Sequence, residues 1–271
     1  MTRSCPRYTV SGPVSWSGRA LHGGQPVRVT VRPGERGFWF HASGTEIEAT
    51  PANVVDTQRC TQLGPIATIE HLMSALAGLG LTDAEIEVDG SELPALDGSA
   101  LEYVQGLQSA GIIEIGALQV EGPFDRVYRH EGNVKIAIAT GEGLWREAIV
   151  LEDHFIGRQE VECQLTPETY AKEIAPARTV VLEREIPAVQ ALGLGKGLDE
   201  SSCLGIAPDR YMKAARFLDE PVRHKLLDLI GDLALAGVPV ALLSVVAERN
   251  GHAANVDAAR KLAARVMITR T

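Results

Sequence analysis

The residues of this chain that could do chemistry are one imidazole and two carboxylates at helical spacing, and an adjacent acid and imidazole elsewhere. His224, Asp228 and Asp232 recur at four-residue intervals, and side chains four apart on a helix are neighbours. An imidazole and a carboxylate one turn apart can grip one metal ion. The same spacing also suits a solvated polar face. Glu70 and His71 stand side by side near the start of another apolar-periodic segment. There Glu70 also suits the positive end of a helix dipole, and His71 also suits a hydrogen-bonded core position. If the two helices meet, His71, His224 and Asp228 make the three-ligand set of a catalytic zinc site, with a fourth position left for water. Such a site brings the pKa of water towards neutrality. Glu70, beside a ligand, would then be a general base. Iron(II) suits the same donors. His252 follows Asn250 and Gly251 in a turn. Facing such a site it would act as a general acid or a cationic stabiliser, because imidazole titrates near working pH. A carboxylate beside it would keep it protonated, and Asp232 is the candidate.

The elements that must position these groups are legible in outline. Val222, Leu226, Leu229, Ile230 and Leu233 form one apolar face, which predicts a long helix over about 221–236. Ile69, Leu72, Met73 and Leu76 predict a helix ended by Gly78 and Gly80. Ser99 and Glu102 have capping-box spacing, so a helix is expected over 100–110. Thr166 with Pro167 opens another. Alternation at Val27, Val29 and Val31, and at Ala84, Ile86 and Val88, predicts half-buried strands. Further strands are expected near 134–139, 148–151 and 240–246. Residues 111–122 are expected to separate two halves, after which the pattern begins again. Strands grouped before helices suggest α+β layers.

Composition narrows the function classes. A length of 271 residues predicts one large domain or two small ones. A net charge of −9 argues against nucleic acid as the main partner, since phosphate backbones need clustered cations. One phosphate-bearing ligand could still be held by a local basic group. The most apolar run, 233–247, contains Gly237 and Pro239 and is shorter than the ~20 residues a spanning helix needs. No integral membrane segment and no secretory leader is expected. Cys5, Cys60, Cys163 and Cys203 form no CxxC pair, as suits packing residues of a reduced, cytoplasmic protein.

Seven strings occur in a telling order: ALHGG at 20–24, DTQRCT at 56–61, TIEHLMSAL at 68–76, LDGSA at 96–100, ART at 177–179, RHKLLDLIGD at 223–232 and GHA at 251–253. The set resembles the UDP-3-O-acyl-N-acetylglucosamine deacetylases, the LpxC family, over nearly the whole chain. The resemblance implies zinc-dependent removal of an N-acetyl group in lipid A biosynthesis. It implies two domains, 1–116 and 117–271, each a helix layer on a β-sheet, packed as a β-α-α-β sandwich with small insertions. His71, His224 and Asp228 would be the zinc ligands and Glu70 the base. His252, oriented by Asp232, would be the acid or stabiliser. Thr179 would polarise the amide oxygen, and Lys225 would contact the substrate or the developing charge. His22 would line the site, with packing or turn formation as the alternative. The partner would be a small nucleotide-sugar substrate with an acyl chain, and the protein a monomer.

The departures from the family pattern fall away from the metal set. Val180 stands where the family commonly has an aromatic. Residues 195–200, with Lys196 among them, replace Gly-Gly-Ser-Leu-Asp-Asn. Arg249-Asn250 replaces Lys-Ser. These positions belong to the acyl passage and the substrate-holding parts. They leave open an amidase for a different N-acylated amino sugar, or a non-catalytic ligand-binding descendant.

Overall fold

The computed structural model describes residues 2–122, 127–152 and 154–271. Its strands and helices, in chain order, are β1 (Thr2–Val10), β2 (Val14–Arg19), β3 (Pro26–Arg32), β4 (Phe38–Ala42), β5 (Thr45–Glu48), β6 (Val54–Asp56), β7 (Gln62–Leu63), α1 (Glu70–Gly78), β8 (Ala84–Val88), α2 (Leu101–Ala110) and β9 (Ile112–Glu121). The second half holds β10 (Val127–Glu131), β11 (Val134–Thr140), β12 (Leu144–Leu151), β13 (Gly157–Gln164), α3 (Pro167–Thr169), β14 (Thr179–Leu182), α4 (Ile186–Ala191), β15 (Cys203–Ile206), α5 (Glu220–Ala234), β16 (Leu243–Glu248), α6 (His252–Ala263) and β17 (Met267–Arg270).

The α+β expectation holds, and the two halves repeat one plan. The first sheet has the order β2-β3-β8-β4-β5, with β8 parallel to β4 and the other pairs antiparallel. The second has the order β10-β11-β16-β12-β13, with β16 parallel to β12 and the rest antiparallel. In each, one helix precedes the central strand and one follows it: α1 and α2, then α5 and α6. The alternating valines of β3 and the apolar residues of β8 point inward, as their period demands. β9 bridges the halves, pairing with β1 on one side and β17 on the other. The expected division between 116 and 117 lies inside β9, at a register shift where Gly116 has φ 143°.

The helices of the two halves meet in the core. Every residue of α1 is buried, as are thirteen of α5. They cross at Gly231, where a Cβ would lie 2.1 Å from the Glu70 carbonyl oxygen. Only a residue without a side chain lets the two backbones come so close. Among the described residues no helix is long and apolar enough to cross a membrane.

Two local expectations fail for visible reasons. Ser99 does not form a capping box with Glu102; the first turn of α2 has Ala100 at its N-cap. The Ser99 hydroxyl donates to Asp97 Oδ1 at 2.8 Å, and its oxygen accepts the Leu101 N–H at 3.1 Å in place of the Glu102 N–H. The strand expected over 240–246 begins only at Leu243, because Val240–Leu242 forms a 3-10 turn closed by the Leu242 N–H donating to Pro239 O at 2.9 Å. The expected helix at Thr166 does open with a reciprocal Thr166–Thr169 capping box, then runs into a π-helical turn over Tyr170–Ile174.

Candidate functional site

The α1–α5 crossing brings His71 onto His224 and Asp228. The Nε2 atoms of His71 and His224 lie 3.8 and 3.5 Å from Asp228 Oδ1. The two rings meet edge to face, 5.2 Å between centroids. One ligand atom from each residue falls within 4.8 Å of the other two, and all three residues are buried.

The partners of these groups leave the right atoms free. His224 Nδ1–H donates to Ala177 O at 3.1 Å, which leaves the Nε2 lone pair facing the site. Lys225 Nζ donates to Asp228 Oδ2 at 2.9 Å, so Oδ1 is left for the imidazoles' side. Burial, then the neighbouring His224, pulls the His71 pKa down to about 3; burial also lowers His224. Both rings are therefore neutral at physiological pH, as ligation requires. Burial opposes the charge on Asp228, but His224 and Lys225 outweigh it and hold its carboxyl well below the usual range. Lys225 is disfavoured by burial and raised by Asp228. Two neutral imidazoles and one anionic oxygen at this spacing fit a divalent metal ion.

Glu70 and His252 face each other beside this set. Glu70 Oε2 accepts the Thr61 N–H at 3.0 Å, and Oε1 lies 4.0 Å from His252 Nε2. Burial raises the Glu70 carboxyl to about 7, close to the optimum for a base working near neutrality. His252 is the first residue of α6, and its Nδ1–H donates to Asp232 Oδ2 at 3.0 Å. Burial works against a charge there, but Asp232 outweighs it and raises His252 to about 9. Thr61 Oγ1 and Asn255 Nδ2 also donate to Asp232, at 2.5 and 2.9 Å.

A cavity of about 490 Å³ opens over these residues. Glu70, His71, Thr179, His224, Lys225, Asp228 and His252 line it, with His22 and Val180 on other walls. Thr179 is anchored by its N–H and its hydroxyl, which donate to Gly98 O at 2.7 and 3.0 Å. Its neighbour Arg178 forks onto Glu220, with contacts of 2.8 and 3.1 Å, and so ties β14 to the start of α5. His22 is held by its backbone: Glu92 accepts the His22 N–H at 2.6 Å, and also the Gly23 N–H and the Thr68 hydroxyl. Both ring nitrogens of His22 are buried without a protein partner. Lys196 is not among the lining residues. Its N–H donates to His22 O at 3.2 Å, and its Cβ packs against Gly24. Cys60 is buried, and burial pushes its thiol up to about 12, which suits packing.

Several site residues escape inspection of the sequence for chemistry. Arg59, Thr68 and Arg249 line the cavity with φ of 69°, 62° and 57°. Left-handed backbone is costly for a β-branched threonine, and such strain gathers at functional sites. Thr61, Asn255 and Glu92 act only through hydrogen bonds, which spacing does not reveal.

Residues 7–264 match the family model for UDP-3-O-acyl N-acetylglycosamine deacetylase, LpxC. The chain is similar to the UDP-3-O-acyl-N-acetylglucosamine deacetylase of Anaeromyxobacter dehalogenans (strain 2CP-C), 36% identical over 94% of this chain and 87% of that protein. It is 35% identical to the one from Trichormus variabilis (strain ATCC 29413 / PCC 7937), over 85% of this chain and 89% of that protein. It is also 35% identical to the one from Acidithiobacillus ferrooxidans (strain ATCC 53993 / BNL-5-31), over 94% and 88%.

Proposed function

The chain belongs to the UDP-3-O-acyl N-acetylglycosamine deacetylase family, and from that premise we propose that it hydrolyses the N-acetyl amide of UDP-3-O-acyl-N-acetylglucosamine, releasing acetate, as a step of lipid A biosynthesis. The observation that carries this reading is the convergence of Glu70, His71, His224, Asp228 and His252 on one cavity. His71, His224 and Asp228 would hold zinc, which supplies Lewis-acid activation of water and of the amide carbonyl.

The residues around that set divide the remaining work. Glu70 Oε1 takes a proton from the attacking water as the water oxygen bonds to the acetyl carbon. His252, protonated through its contact with Asp232, gives its Nε2 proton to the amine nitrogen as the C–N bond breaks. Water and amide thus leave as acetate and amine. Thr179 turns its hydroxyl from Gly98 to the carbonyl oxygen, where charge grows in the transition state. Lys225 holds Asp228 ionised and keeps a positive charge at the wall. The 3-O-acyl chain runs towards the apolar walls at Val181, Val189, Leu194 and Leu198, which continue into a neighbouring cavity of about 470 Å³. The reading places the protein in the cytoplasm, in keeping with four free cysteines.

The test compares acetate release from UDP-3-O-acyl-N-acetylglucosamine and from the same acylated sugar without its nucleotide. Efficient turnover of the first alone supports this substrate. Equal turnover of both moves the assignment to another N-acylated amino sugar.

A further inference from the structure

Glu147 of β12 is fully buried, and the chemistry above makes no use of it. It faces the turn before His252, where a short chain of amides runs from it to Asp232. Asn255 Nδ2 lies 2.9 Å from Asp232 Oδ2, and Asn250 Nδ2 lies 2.9 Å from Asn255 Oδ1. The remaining atom of Asn250, Oδ1, lies 2.5 Å from Glu147 Oε1 and 3.2 Å from Oε2.

Each amide has one donating and one accepting end, so the chain has a direction. Asp232, as the anion that receives the His252 and Thr61 protons, requires the Asn255 NH2 to point at it. Asn255 then offers only its oxygen to Asn250, which must answer with its own NH2. Asn250 is left with an oxygen against Glu147. Two acceptors at that separation repel unless one carries a proton, and an amide oxygen does not. Turning Asn250 alone would set its oxygen against Asn255 Oδ1 and move the conflict one step along. The two carboxyl groups at the ends of the chain must therefore share one proton between them.

We propose that Glu147 is a positioning residue, held as the neutral carboxylic acid, whose proton sets the direction of the Asn250–Asn255 chain and thereby keeps Asp232 an anion beneath His252. Glu147 donates to Asn250 Oδ1, Asn250 to Asn255, and Asn255 to Asp232. The charged groups facing Glu147 are Lys225 and Asp228, both on α5. Burial outweighs the pull of Lys225 and, with Asp228, pushes the Glu147 carboxyl up to about 8. The opposite polarity, with Glu147 ionised and Asp232 protonated, would remove the anion that faces His252 and Thr61.

This inference rests on the proposed role of His252 and Asp232, but its first test does not need turnover. Infrared difference spectra at neutral pH, wild type against Glu147→Gln, should reveal a protonated-carboxyl carbonyl band that the variant lacks. Survival of that band in Glu147→Gln with its loss in Asp232→Asn would overturn the proposal. So would absence of any such band from the wild type. The second test is kinetic. Glutamine presents a neutral NH2 donor to Asn250, so Glu147→Gln should keep kcat within about threefold and leave the alkaline limb of the pH profile in place. Glu147→Leu and Asn250→Ala break the chain, and leaving a buried polar group unpaired should lower kcat by about tenfold. Both should also move the alkaline limb to lower pH. Loss of activity in Glu147→Gln equal to that in Glu147→Leu, with both folded by circular dichroism, would mean that a charged Glu147 is needed and would refute the neutral acid. If neither protein releases acetate from any amide, the deacetylase assignment fails while the infrared result still decides the state of Glu147.

Discussion

Replacing Gly231 by alanine should unmake the metal site without altering any side chain that lines it. A Cβ at 231 would sit 2.1 Å from the Glu70 carbonyl oxygen and 3.1 Å from the Ser74 nitrogen. Both are backbone atoms of α1, so no rotamer change relieves the clash. Non-bonded heavy atoms settle at roughly 3.5 Å, so α1 and α5 must move apart by about 1 Å. His71 travels with α1, and His224 and Asp228 with α5. Metal–ligand distances tolerate only about 0.2 Å, and a displacement of about 1 Å can cost about a hundredfold in rate. The methyl group itself should destabilise the fold by about 1–3 kcal/mol as overpacking. Zinc affinity by chelator competition, kcat/KM for acetate release and a thermal melt would be read on the same protein. Gly12→Ala is the control, since nothing lies within 4 Å of a Cβ at that position. Gly231→Ala should lose about a hundredfold in both zinc affinity and kcat/KM while still melting cooperatively. A Gly231→Ala protein that binds zinc and turns over like the wild type would refute the claim that this crossing sets the ligand geometry.

Other consequences follow from the same contacts. The rate should rise with pH as Glu70, raised to about 7 by burial, loses its proton, and fall as His252, raised to about 9, loses its own. A bound cation draws the Glu70 limb to lower pH, because it favours the carboxylate. Asp232→Asn removes the group that raises His252, so the alkaline limb of a kcat–pH profile should move down. Thr179→Ala should lower kcat by about 10²–10³, the cost of one oxyanion donor, with KM little changed and activity recovered in Thr179→Ser.

What was legible in the sequence follows the range of the interactions. The four-residue spacing of His224, Asp228 and Asp232, and the pairing of Glu70 with His71, are local, and each lands where a helix must carry it. The strand alternation at Val27–Val31 is also local and appears as written. The meeting of α1 and α5 is not local: it depends on Gly231 being small where Glu70 O passes, and a helical glycine alone does not announce its partner. The Ser99 expectation failed because its hydroxyl oxygen accepts the Leu101 N–H, one residue short of the Glu102 amide that a capping box needs. Lys196 stands outside the residues that line the cavity, its backbone N–H bonded to His22 O. Glu147 did leave a signal. It shares the inward face of β12 with Trp145, and a glutamate on a buried strand face asks for a partner.

The central claim is that Glu70 acts as base beside zinc held by His71, His224 and Asp228. It is tested most directly by measuring zinc content and acetate release on the same samples of wild type and Glu70→Gln, before chelation, after chelation and after zinc is returned. The account predicts that both proteins regain one zinc per chain. Only the wild type should regain turnover, with the variant about 10²–10⁴-fold slower, the range of general-base catalysis. Full turnover by zinc-loaded Glu70→Gln, or wild-type acetate release that chelation leaves untouched, would contradict it.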